Sequence, residues 1–127
     1  MQKTDEEWRG TLTPEQFYVL RKHGTEPPGS SPLNAEKRDG TFKCAACGQS
    51  LFSSETKFES GTGWPSFWKP IEEAVAETTD SSLFMTRTEV HCARCQGHLG
   101  HVFPDGPRPT GMRYCMNGLA LEFEPKP

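Results

Sequence analysis

Two short segments constrain this chain more than any other feature: Cys44-Ala45-Ala46-Cys47 and Cys92-Ala93-Arg94-Cys95, each reaching a leucine four residues on (Leu51, Leu99) in the shared pattern C-A-x-C-x-x-x-L. In a CxxC turn both sulfurs can face one point, and two such turns supply the tetrahedral four-sulfur set that suits Zn²⁺. Such a site is closed to water, so the metal would hold structure and not perform catalysis. The interval from residue 48 to 91 is far longer than the roughly 15 to 20 residues of a simple zinc ribbon, so the chain between the turns must build something of its own. A thioredoxin-type redox pair would sit at a helix N-terminus in a βαβ setting, and no helical pattern follows either turn. Four cysteines could also hold an iron–sulfur centre, but zinc is the preferred reading.

A metal staple suits the composition. Only 33% of the 127 residues are hydrophobic, and the chain carries 12 Gly and 11 Pro. That is a loop-rich chain with a modest core, although eight Phe and three Trp are enough to build one. The length suits one domain over residues 1–127, with residues 1–11 read as a flexible N-terminus. Net charge is -3 and no run of Lys or Arg is long enough to track a phosphate backbone, which argues against nucleic-acid binding. No apolar run approaches the roughly 18 to 20 residues that span a bilayer, and the N-terminus shows no secretory pattern. The expected setting is a reducing cytoplasm, where CxxC pairs serve as metal ligands more often than as disulfides. Nothing suggests more than a monomer.

Thr13-Pro14-Glu15-Gln16 reads as a helix start: a capping threonine, a proline at the first position and a glutamine to complete the box. The helix carries Phe17 and Leu20 on one face and ends in Arg21-Lys22-His23-Gly24, with Gly24 expected to take the left-handed stop. Residues 25–40 read as an arm lying on the surface. From residue 41 the pattern is strand-like, with a strand expected over Leu83–Val90 and another over 119–124 that buries Leu119, Leu121 and Phe123. Turn chemistry marks Glu59–Gly63 and Pro104–Pro107. The fold class is mainly β, mostly antiparallel, with one or two short N-terminal helices, stapled by a four-cysteine zinc site.

Cys115 is the fifth and odd cysteine. A free cysteine is usually a small apolar core residue. Here Arg113 and Asn117 share its face of an extended strand; Arg113 can favour the thiolate by charge and Asn117 offers an amide, which makes a poor core and a reasonable active site. An enzyme built this way is expected to show one reactive, low-pKa thiol. His98 and His101 lie three apart in a glycine-rich turn beside the second CxxC. The closed metal site needs no further ligand, so their better use is acid–base work near a thiolate. Trp64, in Gly61-Thr62-Gly63-Trp64-Pro65-Ser66-Phe67-Trp68, could wall a pocket for a small apolar group, while Phe67 and Trp68 read as core.

Taken together, the segments "CAAC" and "CARC", "GTGWPSF", "RTEVHCARCQGHLGHVF" and "GMRYCMNG" resemble the B-type methionine sulfoxide reductases, which reduce the R epimer of methionine sulfoxide. The resemblance runs from about Leu12 to Phe123 and implies two antiparallel sheets with short helices packed outside. It also implies roles: Cys115 as catalytic cysteine, zinc on Cys44, Cys47, Cys92 and Cys95, and His98, His101 and Asn117 around the substrate oxygen. Trp64 would receive the methyl group, Arg113 would support thiolate or substrate, and Phe103 is counted with them as substrate-binding. The implied partners are oxidised proteins or peptides and a reductant such as thioredoxin or another thiol.

Two positions depart from that pattern. Many members place a resolving cysteine where this chain has Thr62, so a single-cysteine cycle through a sulfenic acid on Cys115 is expected. Gly118 stands where serine is common. The rival reading is a non-catalytic zinc-binding interaction module; it accounts for the two turns but not for Cys115, Arg113 and Asn117 on one strand face. A zinc deaminase or hydrolase would need an open coordination position and an H-x-E that the chain lacks.

Overall fold

The computed structural model describes residues 3–82 and 85–126. Two helices open the chain, α1 (Asp5–Thr11) and α2 (Pro14–Lys22). Among the described residues nine strands follow: β1 (Gly40–Cys44), β2 (Ser50–Ser53), β3 (Lys57–Phe58), β4 (Ser66–Phe67), β5 (Val75–Ser82), β6 (Met85–Cys92), β7 (His98–Phe103), β8 (Arg113–Met116) and β9 (Leu121–Pro125). They pair antiparallel in two sheets, β2-β1-β9 and β3-β4-β8-β7-β6-β5, as the family resemblance implies.

The core lies between the sheets. Phe42 from β1, Phe52 from β2 and Phe67 from β4 are fully buried, with Phe67 stacked on Phe52 at 4.3 Å between ring centroids and edge-on to Phe42 at 5.0 Å. Trp68, expected in the core beside Phe67, is only half-buried. Each aromatic removes apolar area from water worth about 1.5–3 kcal/mol, so this cluster carries much of what a 33%-hydrophobic chain can gather.

Both helices begin with capping boxes, Thr4 with Glu7 and Thr13 with Gln16. The flexible N-terminus expected over residues 1–11 is therefore corrected for 5–11, where a capped helix buries Trp8 to 2% exposure. A seven-residue helix is marginal alone; Trp8, with the Arg21 guanidinium 4.9 Å from its ring, ties it to α2. The left-handed stop of α2 falls on His23 (φ 56°), one residue before the expected Gly24. Gly24 lies under the exposed Tyr18 ring, which a Cβ there would displace.

The 25–40 arm is not wholly superficial, because Glu26 is buried to 2%. Leu119 and Ala120 belong to a 3₁₀ turn (Gly118–Ala120) that precedes β9, so the clean alternation expected from residue 119 begins only at Leu121. The strand expected over Leu83–Val90 is observed from Met85 to Cys92; Leu83 and Phe84 lie outside the described residues. Among the described residues, no helix is long and apolar enough to cross a membrane.

Candidate active site and metal centre

Each CxxC is the turn of a hairpin, Cys44–Gln49 joining β1 to β2 and Cys92–Gly97 joining β6 to β7. The same closing bonds recur in both: Cys44 N–H to Gln49 C=O and Cys92 N–H to Gly97 C=O, each 2.8–2.9 Å. The residue after each second cysteine takes positive φ, Gly48 at 81° and Gln96 at 64°. One hairpin belongs to each sheet, so joining the turns fastens the sheets together.

The four sulfurs lie within 4.8 Å of one another, with Cys44–Cys95 and Cys47–Cys92 both 3.6 Å apart. A tetrahedron of sulfurs about 2.3 Å from a zinc ion has edges of about 3.8 Å, so the donor set fits that ion in type and size. Packing thiols this closely lets one ionise at the expense of its neighbours: hydrogen bonds from Cys44 and Cys95 pull the Cys92 pKa down to about 2. Hydrogen bonds to Cys92 and Cys95, then burial, push Cys44 far above the ordinary thiol value. A divalent cation at the centre is the chemistry that lets all four bind as thiolates.

The second site is built on the β7–β8 ladder. His101 lies opposite Cys115 and Phe103 opposite Arg113. Tyr114 and Met116 alternate to the buried side, which puts Cys115 and Arg113 on the other. Gly100 permits the close approach, since a Cβ there would meet the Cys115 carbonyl at 2.1 Å. Gly100, His101, Phe103, Arg113 and Cys115, with Trp64, Thr62, Thr25, Arg87 and Asn117, line a cavity of about 270 Å³, the size of one side chain. A larger hollow of about 580 Å³ lies on the far side of Glu26 and Gly118 and is lined by no cysteine or histidine.

Of the residues singled out from sequence, Trp64, His101, Phe103, Arg113, Cys115 and Asn117 meet at this cavity. His98 does not line it. It sits behind His101, rings 5.4 Å apart, and is 3% exposed. Burial holds its pKa below the usual imidazole value against the attraction of Glu89, so the ring is neutral near pH 7.

Two residues that sequence reasoning missed, Glu26 and Glu89, stand behind the site. The Glu26 carbonyl accepts from Trp64 Nε1 (2.9 Å), its N–H donates to Asn117 Oδ1 (2.9 Å) and its Oε1 accepts from the Leu119 N–H (2.8 Å). Asn117 in turn donates from Nδ2 to the Leu99 carbonyl (3.0 Å), so its amide is mostly engaged in fixing the cavity wall. No periodicity marks Glu26, which lies in the Pro/Gly-rich arm. Glu89 is the other, lying between His98 and His23. Thr62 stands with its hydroxyl 3.8 Å from Cys115 Sγ and 2.8 Å from Ser60 Oγ, which reaches Ser66 Oγ at 2.7 Å. At position 118 a Cβ would meet Ser31 Oγ, so Ser31 fills the space a serine side chain at 118 would need.

The low-pKa thiol expected at Cys115 is corrected. Burial raises its pKa above the ordinary cysteine value, outweighing the Thr62 hydroxyl and the Arg113 charge that pull it down. Arg113 is weakened in that task because Asp105 binds it at two points (2.8 and 3.1 Å), while Phe103 lies under its guanidinium at 4.5 Å. Since the protonated thiol is the resting form at neutral pH, alkylation of Cys115 should accelerate with a midpoint above the ordinary value of about 8.5. Thr62→Val, which removes the strongest stabiliser of the thiolate, should move that midpoint further up. Iodoacetamide trapping followed by mass spectrometry across pH 6–10 measures both, and a wild-type midpoint below 8 would contradict this reading.

Two antiparallel sheets joined at a four-cysteine cluster, with a fifth cysteine facing a side-chain-sized cavity, define the class: a cysteine-stapled β fold built around one thiol. The SelR domain family model matches residues 12–125. A protein of Pseudomonas putida strain W619 named peptide methionine sulfoxide reductase MsrB is 58% identical over 125 residues, spanning 98% of this chain and 94% of its own length. Proteins of the same name from Agrobacterium fabrum (55% over 124 residues; 97% and 92%) and Methanosarcina barkeri (58% over 125; 98% and 88%) are similar along almost their whole length. The chain belongs to the SelR-domain family, the B-type methionine sulfoxide reductases.

Proposed function

We propose that this protein reduces the R epimer of methionine sulfoxide, free or in oxidised proteins, to methionine through a sulfenic acid on Cys115, and so repairs oxidative damage. The observation that carries the reading is His101 directly across the β7–β8 ladder from Cys115 in a cavity walled by Trp64.

The chemistry follows from those positions. Cys115 sulfur bonds to the sulfoxide oxygen as the substrate S–O bond breaks; the cysteine is oxidised and the substrate sulfur reduced. The thiol proton ends on the transferred oxygen, so the raised pKa of Cys115 is consistent with a thiol that carries in the proton the reaction consumes. His101, opposite the sulfur, is the group placed to pass it. His98, buried behind, orients His101, and Asn117 holds the wall beside the oxygen. The Trp64 ring would take the methyl group on the apolar side. With a polar side and an apolar side, the cavity can distinguish the two configurations at sulfur. Zinc on Cys44, Cys47, Cys92 and Cys95 would hold the sheets together and take no part in the reaction.

Thr62 in place of a second cysteine supports a single-cysteine cycle. One external thiol, from thioredoxin or a small-molecule reductant, attacks the Cys115 sulfenic acid and releases water; a second thiol frees Cys115 as the mixed disulfide resolves. Single turnover without reductant tests the proposal: about one methionine per chain is expected from the R sulfoxide and none from the S sulfoxide. Methionine from neither, in protein with its metal bound, would leave the family resemblance as one of fold. Thr62→Cys should convert the product from sulfenic acid to an intramolecular 62–115 disulfide after one turnover. Gly61 and Gly63, both at positive φ, flank position 62 and give the loop scope to close the remaining distance. Peptide mapping reads this directly, and an intramolecular disulfide to Cys115 in the wild type would overturn the single-cysteine cycle.

A further inference from the structure

Outside the four-cysteine cluster, one more group of ligand atoms converges. His23 Nε2 lies 3.3 Å from Glu89 Oε2, His98 Nδ1 lies 3.1 Å from the same oxygen, and all three atoms fall within 4.8 Å of one another. We propose that His23, Glu89 and His98 form a second metal site, for a divalent first-row transition ion, distinct from the cysteine cluster.

The donor set is right for such an ion. Two imidazoles and one carboxylate with further positions open to water suit Zn²⁺, Cu²⁺, Ni²⁺, Co²⁺ or Fe²⁺ and disfavour Mg²⁺ and Ca²⁺. Ligands about 2.1 Å from a metal are spaced about 3.0 Å apart in an octahedral arrangement and about 3.4 Å in a tetrahedral one. The two measured nitrogen–oxygen spacings fall between those values.

An independent observation points the same way. His98 is 3% exposed, yet its Nδ1 makes no hydrogen bond, although the Glu89 oxygen is within reach. An imidazole nitrogen and a carboxylate oxygen 3.1 Å apart are also spaced as two ligands of one metal ion.

The third ligand comes from a position that is otherwise poorly filled. His23 ends α2 at φ 56°, a conformation that glycine adopts freely and other residues adopt at about 1 kcal/mol or more. That conformation carries its ring over His98, centroids 5.2 Å apart, at the edge of the solvent. His23 is 65% exposed at its side chain and Glu89 14%, so an ion can enter from outside and keep water on its open positions.

The test is to titrate zinc-loaded full-length protein with Co²⁺, which does not displace zinc from four thiolates. One Co²⁺ per chain is expected, with weak visible absorption and no thiolate-to-cobalt charge transfer. His23→Gly should remove that binding while zinc content and thermal midpoint hold, because glycine relaxes the left-handed position. Glu89→Gln should weaken it at least tenfold. Failure to bind cobalt beyond the zinc equivalent would overturn the proposal. So would binding that survives His23→Gly, or a thiolate charge-transfer band, which would put the ion on cysteine.

Discussion

Cys115→Ser should form no methionine from methionine R-sulfoxide. A serine oxygen is too hard a nucleophile for sulfoxide chemistry and cannot form a sulfenic acid, so the loss is total for practical purposes, roughly a thousandfold or more. The substitution keeps the volume at the base of the cavity, leaves the His101 pairing across the ladder intact and touches none of the four clustered cysteines. Zinc content and thermal midpoint should therefore match the wild type, which separates lost chemistry from lost fold. The measurement is methionine released per chain in one turnover by chromatography. A variant retaining even a tenth of the wild-type yield would move the nucleophile elsewhere.

Cys47→Ser should have the largest effect on stability. Cys47 is the half-exposed member of the cluster, so its side chain is easily replaced; what is lost is the fourth thiolate. Structural zinc sites bind with about 10–16 kcal/mol in zinc-finger peptides near pH 7, comparable with the whole stability of a small domain at about 5–15 kcal/mol. The two turns belong to different sheets, so the cluster ties the sheets at a second place besides the core between them. The variant should lose zinc and its cooperative thermal transition, and a strong chelator should do the same to the wild type. Metal analysis beside near-ultraviolet circular dichroism reads both, and a midpoint within about 3 °C of wild type would show that the cluster does not hold the fold.

Much of this architecture was legible before any coordinates, because it rests on short-range rules. The capping box at Thr13–Gln16 and the apolar face of α2 depend on residues three or four apart, and both are observed. The alternation Arg113-Tyr114-Cys115-Met116 depends only on the two-residue period of a strand, and it places Arg113 and Cys115 on one face as read. The α2 stop falls on His23 and not on Gly24, which lies against the Tyr18 ring, a placement that local backbone preference does not display. Helix α1 carries the same local start signal, a Thr4–Glu7 capping box, but a window of seven residues does not display the burial of Trp8 that holds it.

By itself the sequence determined the four-cysteine staple, the β class and the strand face that carries Cys115, since each follows from spacing along the chain. Only the tertiary structure decided how acidic that thiol is, because burial depends on walls drawn from Thr62, Trp64 and β7, and because Asp105 shares the Arg113 charge. It alone brought Glu26 from a surface-like arm to the back of Asn117, and set His23 beside Glu89 and His98. Desolvation and long-range pairing are properties of what surrounds a residue in space, and no local pattern encodes them.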